Sequence, residues 1–200
     1  MAFVLKTFST NEIVVEKSRF IALLCPLSVT KDFSYYFNEA KKTYKDARHY
    51  TYAYRYLTVE KASDDGEPQN TAGLPLLNLL KNHELEDTLL IVVRYFGGKK
   101  LGAGRLLRTY VEAGASVISQ AQFYEKVPAY RYTINVPISD YDRTKFYLEK
   151  ANYTVETTDF IALNVTIVVL VSKSEAETFE RLYNVVSKMD DYILMEVSNE

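Results

Sequence analysis

Cysteine and tryptophan are scarce in this sequence of 200 residues. It has a single cysteine, Cys25, and no tryptophan. One cysteine excludes an internal disulfide framework and any zinc finger built on cysteine ligands. Such sparse cysteine is typical of proteins that work in a reducing compartment. We therefore expect a cytoplasmic protein whose stability owes nothing to disulfides.

Long hydrophobic runs are also missing. The longest apolar stretches, around residues 89–93 and 165–171, have the length of a strand. A helix that crosses a bilayer needs roughly 18 apolar residues. The N-terminal residues lack the ordered basic, apolar and small-residue regions of a secretory signal peptide. The sequence thus predicts a soluble, intracellular protein with no membrane partner.

A strong charge of either sign is absent, but charge and glycine are unevenly distributed. The formal net charge is −2, which excludes a uniformly basic nucleic-acid coat. Residues 1–125 carry a net charge of +2 and residues 126–200 a net charge of −4. All seven glycines lie between Gly66 and Gly114. We predict two domains, 1–125 and 126–200, with the functional site in the first.

The hydrophobic patterns predict an α+β protein. Alternating tyrosines at 50, 52, 54 and 56 indicate a strand that packs them on one face, and the apolar run 89–94 indicates a central strand. A helix follows with Leu107, Tyr110 and Val111 on its predicted buried face. After residue 126 the predicted elements follow the order βαββαβ, which is that of a ferredoxin-like unit.

The glycine-rich loop that follows the central strand is the strongest candidate binding site. Between Thr88 and Val111 there is no acidic residue. The five cations of this stretch are Arg94, Lys99, Lys100, Arg105 and Arg108. The glycines that allow close backbone approach are Gly97, Gly98, Gly102 and Gly104. Because a helix N-terminus attracts anions, the loop predicts a phosphate or RNA-backbone site, with a merely solvated cationic turn as the alternative.

An acidic loop and one histidine complete the candidate site. Asp64, Asp65 and Glu67 are suited to three uses: binding Mg²⁺, forming a turn, or pairing with the arginines of the glycine-rich loop. His49 lies on the strand face opposite the tyrosines, where it can serve as an acid or base, contact phosphate, or hold structure. Recognisable nucleophile and nucleotide-binding motifs are absent, so we assign no catalytic residue, metal or cofactor.

Four segments in the right order resemble the IMPACT/YigZ family. They are Glu16–Ala22; Ala47–His49 with Ala53 and Tyr54; Asp64–Pro68 with Thr71–Gly73; and Arg94–Gly102 with Gly104 and Tyr110. The resemblance implies an N-terminal domain with the fold of the second domain of ribosomal protein S5. It also implies a C-terminal domain like the ferredoxin-like domains of translation elongation factor G, and a link to translation. That link is an analogy, since a fold does not determine a function.

The leading hypothesis is a non-enzymatic, translation-linked protein that binds RNA or the ribosome through the basic glycine-rich loop. His49, Asp64, Asp65 and Glu67 would then order the site. The alternative is an enzyme that acts on a phosphorylated small molecule or nucleotide in the same cleft, with these four residues as acid–base groups or Mg²⁺ ligands. A third hypothesis is a protein-binding module that uses the C-terminal sheet. The sequence makes no prediction of the oligomeric state.

Overall fold

A computed structural model describes residues 1–197 of the chain. These residues form two β-sheets and five α-helices, so the predicted α+β class is confirmed. The helices are α1 (Phe33–Thr43), α2 (Gly73–Asn82), α3 (Ala103–Ile118), α4 (Tyr141–Lys150) and α5 (Ala176–Leu182). The strands are β1 (Phe3–Leu5), β2 (Ser9–Val15), β3 (Ser18–Pro26), β4 (His49–Tyr56), β5 (Val59–Ser63), β6 (Leu85–Glu86), β7 (Thr88–Tyr95), β8 (Phe123–Pro137), β9 (Thr154–Ile161), β10 (Asn164–Ser172) and β11 (Val185–Glu196).

Residue contacts divide this described chain into two compact units. The first comprises residues 1–124 together with Val197, and the second comprises residues 125–196. The division falls inside β8, so a continuous strand leads from the first unit into the second. Each unit has its own cluster of buried apolar side chains.

The first unit is built around an antiparallel sheet in the order β2-β3-β7-β4-β5. Its central strand β7 is the predicted apolar run, and it is buried on both faces. Because side chains alternate along a strand, Leu90 and Val92 pack with α2 and α3, whereas Leu89, Ile91 and Val93 pack with α1. The sheet is therefore the middle layer between two layers of helix.

The alternating tyrosines of β4 lie on the α1 side of this sheet. The Tyr52 ring is 4.7 Å from that of Phe33 and 5.5 Å from that of Phe37, measured between centroids. Such aromatic pairs stabilise a sheet–helix contact beyond the area they bury. His49, Thr51 and Ala53 lie on the opposite face of β4, which faces α2 and α3.

The buried face of α3 contains Leu106 where Leu107 was predicted. Leu106 is 4% exposed and Tyr110 is fully buried, whereas Leu107 is 37% exposed. Because Leu106 and Leu107 are adjacent, the sequence allowed either of them to be the buried one. The predicted burial of Leu107 was wrong because the stripe that continues through Ala113 and Val117 at helical spacing starts from Leu106.

The second unit contains β8, α4, β9, β10, α5 and β11 in that order, which is the predicted sequence of elements. Its strands pair in the order β9-β10-β8-β11. Val165, Ile167 and Val169 of β10 alternate into the core, where they meet Phe179 of α5. Among residues 1–197, no helix is both long enough and apolar enough to span a membrane.

Candidate functional site

Strand register brings two side chains of the candidate site, Arg94 and His49, next to each other. Arg94, near the end of β7, pairs with Phe20 of β3 and with His49 of β4. It lies on the same face as Leu90 and Val92, which is the face covered by α2 and α3. Arg94 was predicted both to end the strand 89–94 and to contact phosphate; it does lie in that strand, and it is only 5% exposed. The position of Arg94 within β7 therefore fixes this buried cation in the sheet.

Glu67 is the buried carboxylate that neutralises Arg94. Its side chain is 4% exposed, and Oε1 accepts hydrogen bonds from Arg94 Nη1 at 2.5 Å and from Tyr110 Oη at 2.7 Å. Burial and the neighbouring Glu67 carboxylate raise the pKa of Tyr110, so its hydroxyl stays a donor. Of the three uses considered for the acidic loop, the ion pair with an arginine is the one that Glu67 makes.

His49 joins the same cluster through its second ring nitrogen. Nδ1 lies 2.7 Å from the backbone oxygen of Asp65, and a carbonyl oxygen only accepts, so Nδ1 carries a hydrogen. Nε2 then lies 3.8 Å from Oε2 of Glu67. The backbone of the acidic loop thus orients the imidazole and leaves Nε2 as the nitrogen that can exchange a proton.

The other two acids hold the acidic loop itself. Asp64 Oδ1 accepts from the backbone N–H groups of Ala72 and Gly73 at 2.9 and 2.8 Å, and so caps the N-terminus of α2. Asp65 Oδ2 accepts from the N–H of Tyr50 at 2.6 Å. Within residues 1–197 no group of three or more His, Cys, Asp or Glu side chains is arranged to hold a metal ion. The geometry offers no support for a Mg²⁺ site.

A cavity of about 360 Å³ opens beside this cluster. Its charged lining consists of Arg48, His49, Glu67, Arg94 and Lys100, and its apolar lining includes Pro68, Phe96, Leu101 and Leu106. The Phe96 ring lies 5.6 Å from the guanidinium carbon of Arg48 and 5.6 Å from that of Arg94. The aromatic ring therefore brings two cations to one wall of the cavity.

Helix α3 begins at the same cavity. Gly102 is its N-cap with a φ of +77°, and Gly102 and Ala103 line the cavity. The first N–H groups of a helix have no acceptor within it, and glycine supplies no side-chain cap. Helix α2, by contrast, is capped by Asp64. The N-terminus of α3 is thus the one of these two that can offer N–H groups to an anion.

The predicted basic loop is split by the tertiary structure. Lys99 and Arg105 both pair with Glu16, at 3.1 and 2.8 Å, and these two cations lower the pKa of Glu16. Lys100 lines the cavity, whereas Arg108 is exposed on α3 and is not among the cavity residues. The five cations therefore fall into a cavity group, a Glu16-bound group and one outlying arginine.

The loop glycines serve different purposes. A Cβ on Gly97 would lie 2.1 Å from the backbone carbon of Lys17, and the Gly97 N–H donates to Ser18 Oγ at 3.0 Å. Gly97 therefore lets the loop pack on the β2–β3 turn, which is a structural use that the sequence did not predict. Gly98 has a φ of +91° with open space around it, and Gly104 is also open.

Two members of the site were not predicted from the sequence. Arg48 lines the cavity and Glu16 neutralises part of the loop, yet neither was assigned a function. Both lie inside the segments that carried the family resemblance. The sequence did offer one signal for Arg48. Arg48 directly precedes His49, the first residue of β4, so the two residues had to lie close to each other.

The fold and the site together define a protein of two α+β units with a cationic cavity at a helix N-terminus. Residues 16–118 match the family described as the Impact N-terminal domain. This match covers more than half of the chain and includes all the cavity residues named above. The chain belongs to the IMPACT family, as the resemblance predicted.

Curated relatives carry the same family name. The chain is 45% identical over 111 residues to the IMPACT family member YvyE of Bacillus subtilis, a match that covers 54% of this chain and 51% of that protein. It is 27% identical over 173 residues to the IMPACT family member YigZ of Escherichia coli, covering 84% and 85% of the two chains. The chain thus spans about half the length of the Bacillus relative that it matches.

One solved structure resembles the chain over its whole length. It is described as the crystal structure of an hypothetical protein, and it is 25% identical with a TM-score of 0.63. The similarity covers 100% of this chain and 98% of that one. The fold of the chain therefore has a counterpart in a solved structure of about the same length.

Proposed function

We propose that this protein is non-enzymatic, is linked to translation, and binds RNA, free or within the ribosome, at the cavity and its glycine-rich loop. The observation that carries the proposal is the convergence of Arg48, Arg94 and Lys100 on one cavity where α3 begins. Glu67 supplies a single negative charge there, so the lining keeps an excess of positive charge. Cations and free helix N–H groups are the usual partners of phosphate oxygens.

This proposal gives each group of site residues a different role. Arg48 and Lys100 are exposed and contact phosphate, while the buried Arg94 also lines the cavity and adds a fixed positive charge and a donor to it. Gly98 and Gly102 let backbone approach the ligand, and Gly104 leaves room beside it. Lys99, Arg105 and Arg108 form an outer cationic rim. His49, Asp64, Asp65 and Glu67 order the site through the hydrogen bonds and the ion pair described above.

A salt series tests this proposal. The affinity of the full chain for single-stranded RNA and for ribosomes is measured by fluorescence anisotropy and co-sedimentation at several salt concentrations. Each lost phosphate contact flattens the slope of log K against log salt by about 0.7. We expect this for Lys100→Ala and not for Lys61→Ala, which removes an exposed lysine from the edge strand β5. An absence of salt-sensitive binding by the wild type would refute the proposal.

A second candidate function rests on the His49–Glu67 pair. An imidazole whose Nδ1 is oriented by a backbone carbonyl and whose Nε2 faces a carboxylate is a common acid–base arrangement. It supports an enzyme that acts on a phosphorylated small molecule or nucleotide in the same cavity. Turnover of such compounds by the wild type, lost in His49→Gln with melting temperature retained, would replace the first proposal with this one.

The proposal also includes the folds of the two units, the location of the protein and a protein partner. The order β9-β10-β8-β11 with α4 and α5 supports a ferredoxin-like fold for residues 126–200, and the family supports an S5-like fold for residues 1–125. A role in translation implies a cytoplasmic location. A protein partner that binds the second unit is a further proposal, which affinity capture with residues 126–200 deleted would test.

A further inference from the structure

We propose that the cavity binds a terminal phosphate monoester of a nucleotide, either a free mononucleotide or the end of an RNA strand, in preference to the internal phosphates of a chain. This inference rests on the proposed function and specifies which part of a nucleic acid enters the site. It depends on four observations: the charge of the cavity, a buried donor atom of Arg94, the apolar lining of the cavity and the ion pairs of cations outside it.

The charge of the cavity matches a monoester. Of the described residues that line it, Arg48, Arg94 and Lys100 are cationic and Glu67 is the carboxylate, which leaves +2 when His49 is neutral. A phosphate monoester carries about −1.5 to −2 at pH 7, whereas an internal phosphodiester carries −1. A terminal phosphate therefore balances the cavity, and an internal one leaves a cation unmatched in a partly enclosed site.

One buried atom points to the same chemistry. Arg94 Nε is buried and has no hydrogen-bond partner among the described residues, although Nη1 of the same side chain binds Glu67. Buried donors without a partner are rare and are found where a ligand or water is expected. Together with the N–H groups at the start of α3, this guanidinium offers donors to a group with several oxygens.

The rest of the lining suits a nucleoside attached to that phosphate. Phe96, Leu101 and Leu106 form apolar wall next to the cations, and Phe96 is 39% exposed. The volume of about 360 Å³ is within the range of small-ligand sites, at its lower end. A base can pack on the Phe96 ring while the phosphate reaches the cations.

Two of the three loop and helix cations that lie outside the cavity are already engaged in ion pairs. Lys99 and Arg105 lie outside the cavity lining and both bind Glu16. A strand that tracked along the loop would have to separate these ion pairs, whereas a terminal nucleotide within the cavity leaves them intact. The geometry therefore favours end recognition over passage of a continuous backbone.

The test compares RNA decamers of one sequence that carry a 5′-phosphate, a 3′-phosphate or hydroxyls at both ends, each with an internal fluorophore. The full chain should bind a phosphorylated end at least about tenfold more tightly than the hydroxyl form, since charged hydrogen bonds are lost. AMP should compete and adenosine should not. Lys100→Ala should remove the preference, and Lys61→Ala should retain it.

The outcomes separate this inference from the proposed function. Equal affinity for all three decamers, with salt-sensitive binding, would overturn end recognition and leave RNA binding in place. A rise in melting temperature with AMP but not adenosine, without RNA binding, would support the monoester site with a free nucleotide as its ligand and refute RNA binding. No response to any RNA or nucleotide would overturn both.

Discussion

The buried pair of Glu67 and Arg94 makes the strongest prediction about stability. The two side chains are 4% and 6% exposed, so neither charge is solvated by bulk water. Glu67→Gln keeps the size of the side chain but leaves the Arg94 charge without its counter-ion. Breaking a buried pair from one side costs about 3–5 kcal/mol. Because glutamine still offers one neutral acceptor to Arg94 or Tyr110, we expect about 3 kcal/mol.

Urea unfolding followed by circular dichroism measures this loss, since the chain has no tryptophan to report on it. With a typical slope of about 2 kcal/mol per molar urea, the midpoint should fall by about 1.5 M. The control is Glu16→Gln, which also removes one carboxylate but breaks pairs whose cations are 68% and 49% exposed. Exposed ion pairs contribute little to stability, so the midpoint of the control should move far less than that of Glu67→Gln.

The same Glu67→Gln variant should bind phosphate-bearing ligands more tightly, because the cavity gains one unit of positive charge. Stability and affinity are thus expected to change in opposite directions. A Glu67→Gln protein whose urea midpoint falls no further than that of the Glu16→Gln control would refute the reasoning. It would mean that the Arg94 charge is stabilised by something other than Glu67.

Three further predictions concern other parts of the first unit. Burial raises the pKa of the Cys25 thiol, so Ellman's reagent should react with it only as urea unfolds the protein; rapid reaction of native protein would contradict this. Gly97→Ala should cost about 3 kcal/mol through overlap with the Lys17 backbone, and Gly98→Ala about 1 kcal/mol through its positive φ. Melting temperatures compare them, and equal losses would show that the close approach is not limiting. Lys99 and Arg105 lower the pKa of Glu16, so its ion pairs stabilise the fold above pH 4.5, the ordinary value, and are lost as the pH falls through the lowered pKa. The difference in unfolding free energy between wild type and Glu16→Gln should therefore shrink in acid; a constant difference would exclude these pairs as its source.

Local pattern was sufficient to predict much of the fold. The apolar run 89–94 and the alternating tyrosines of β4 identify strands because side-chain alternation is a property of the strand itself. The βαββαβ order after residue 126 follows from the same kind of periodicity. The adjacent leucines 106 and 107 mark the limit, because their order along the chain leaves open which one the core accepts.

The candidate site shows a similar division. The glycine-rich loop, its cations and the acidic loop were all predicted to be functional from residue types and spacing. Which carboxylate neutralises which cation was not predictable, because Glu16 and Arg105 are 89 residues apart and Glu67 and Arg94 are 27 apart. Only the register of β3, β7 and β4 and the packing of α3 bring those charges into contact. Charge pairing depends on distances of a few ångströms, and such distances between remote residues exist only once the sheet has formed.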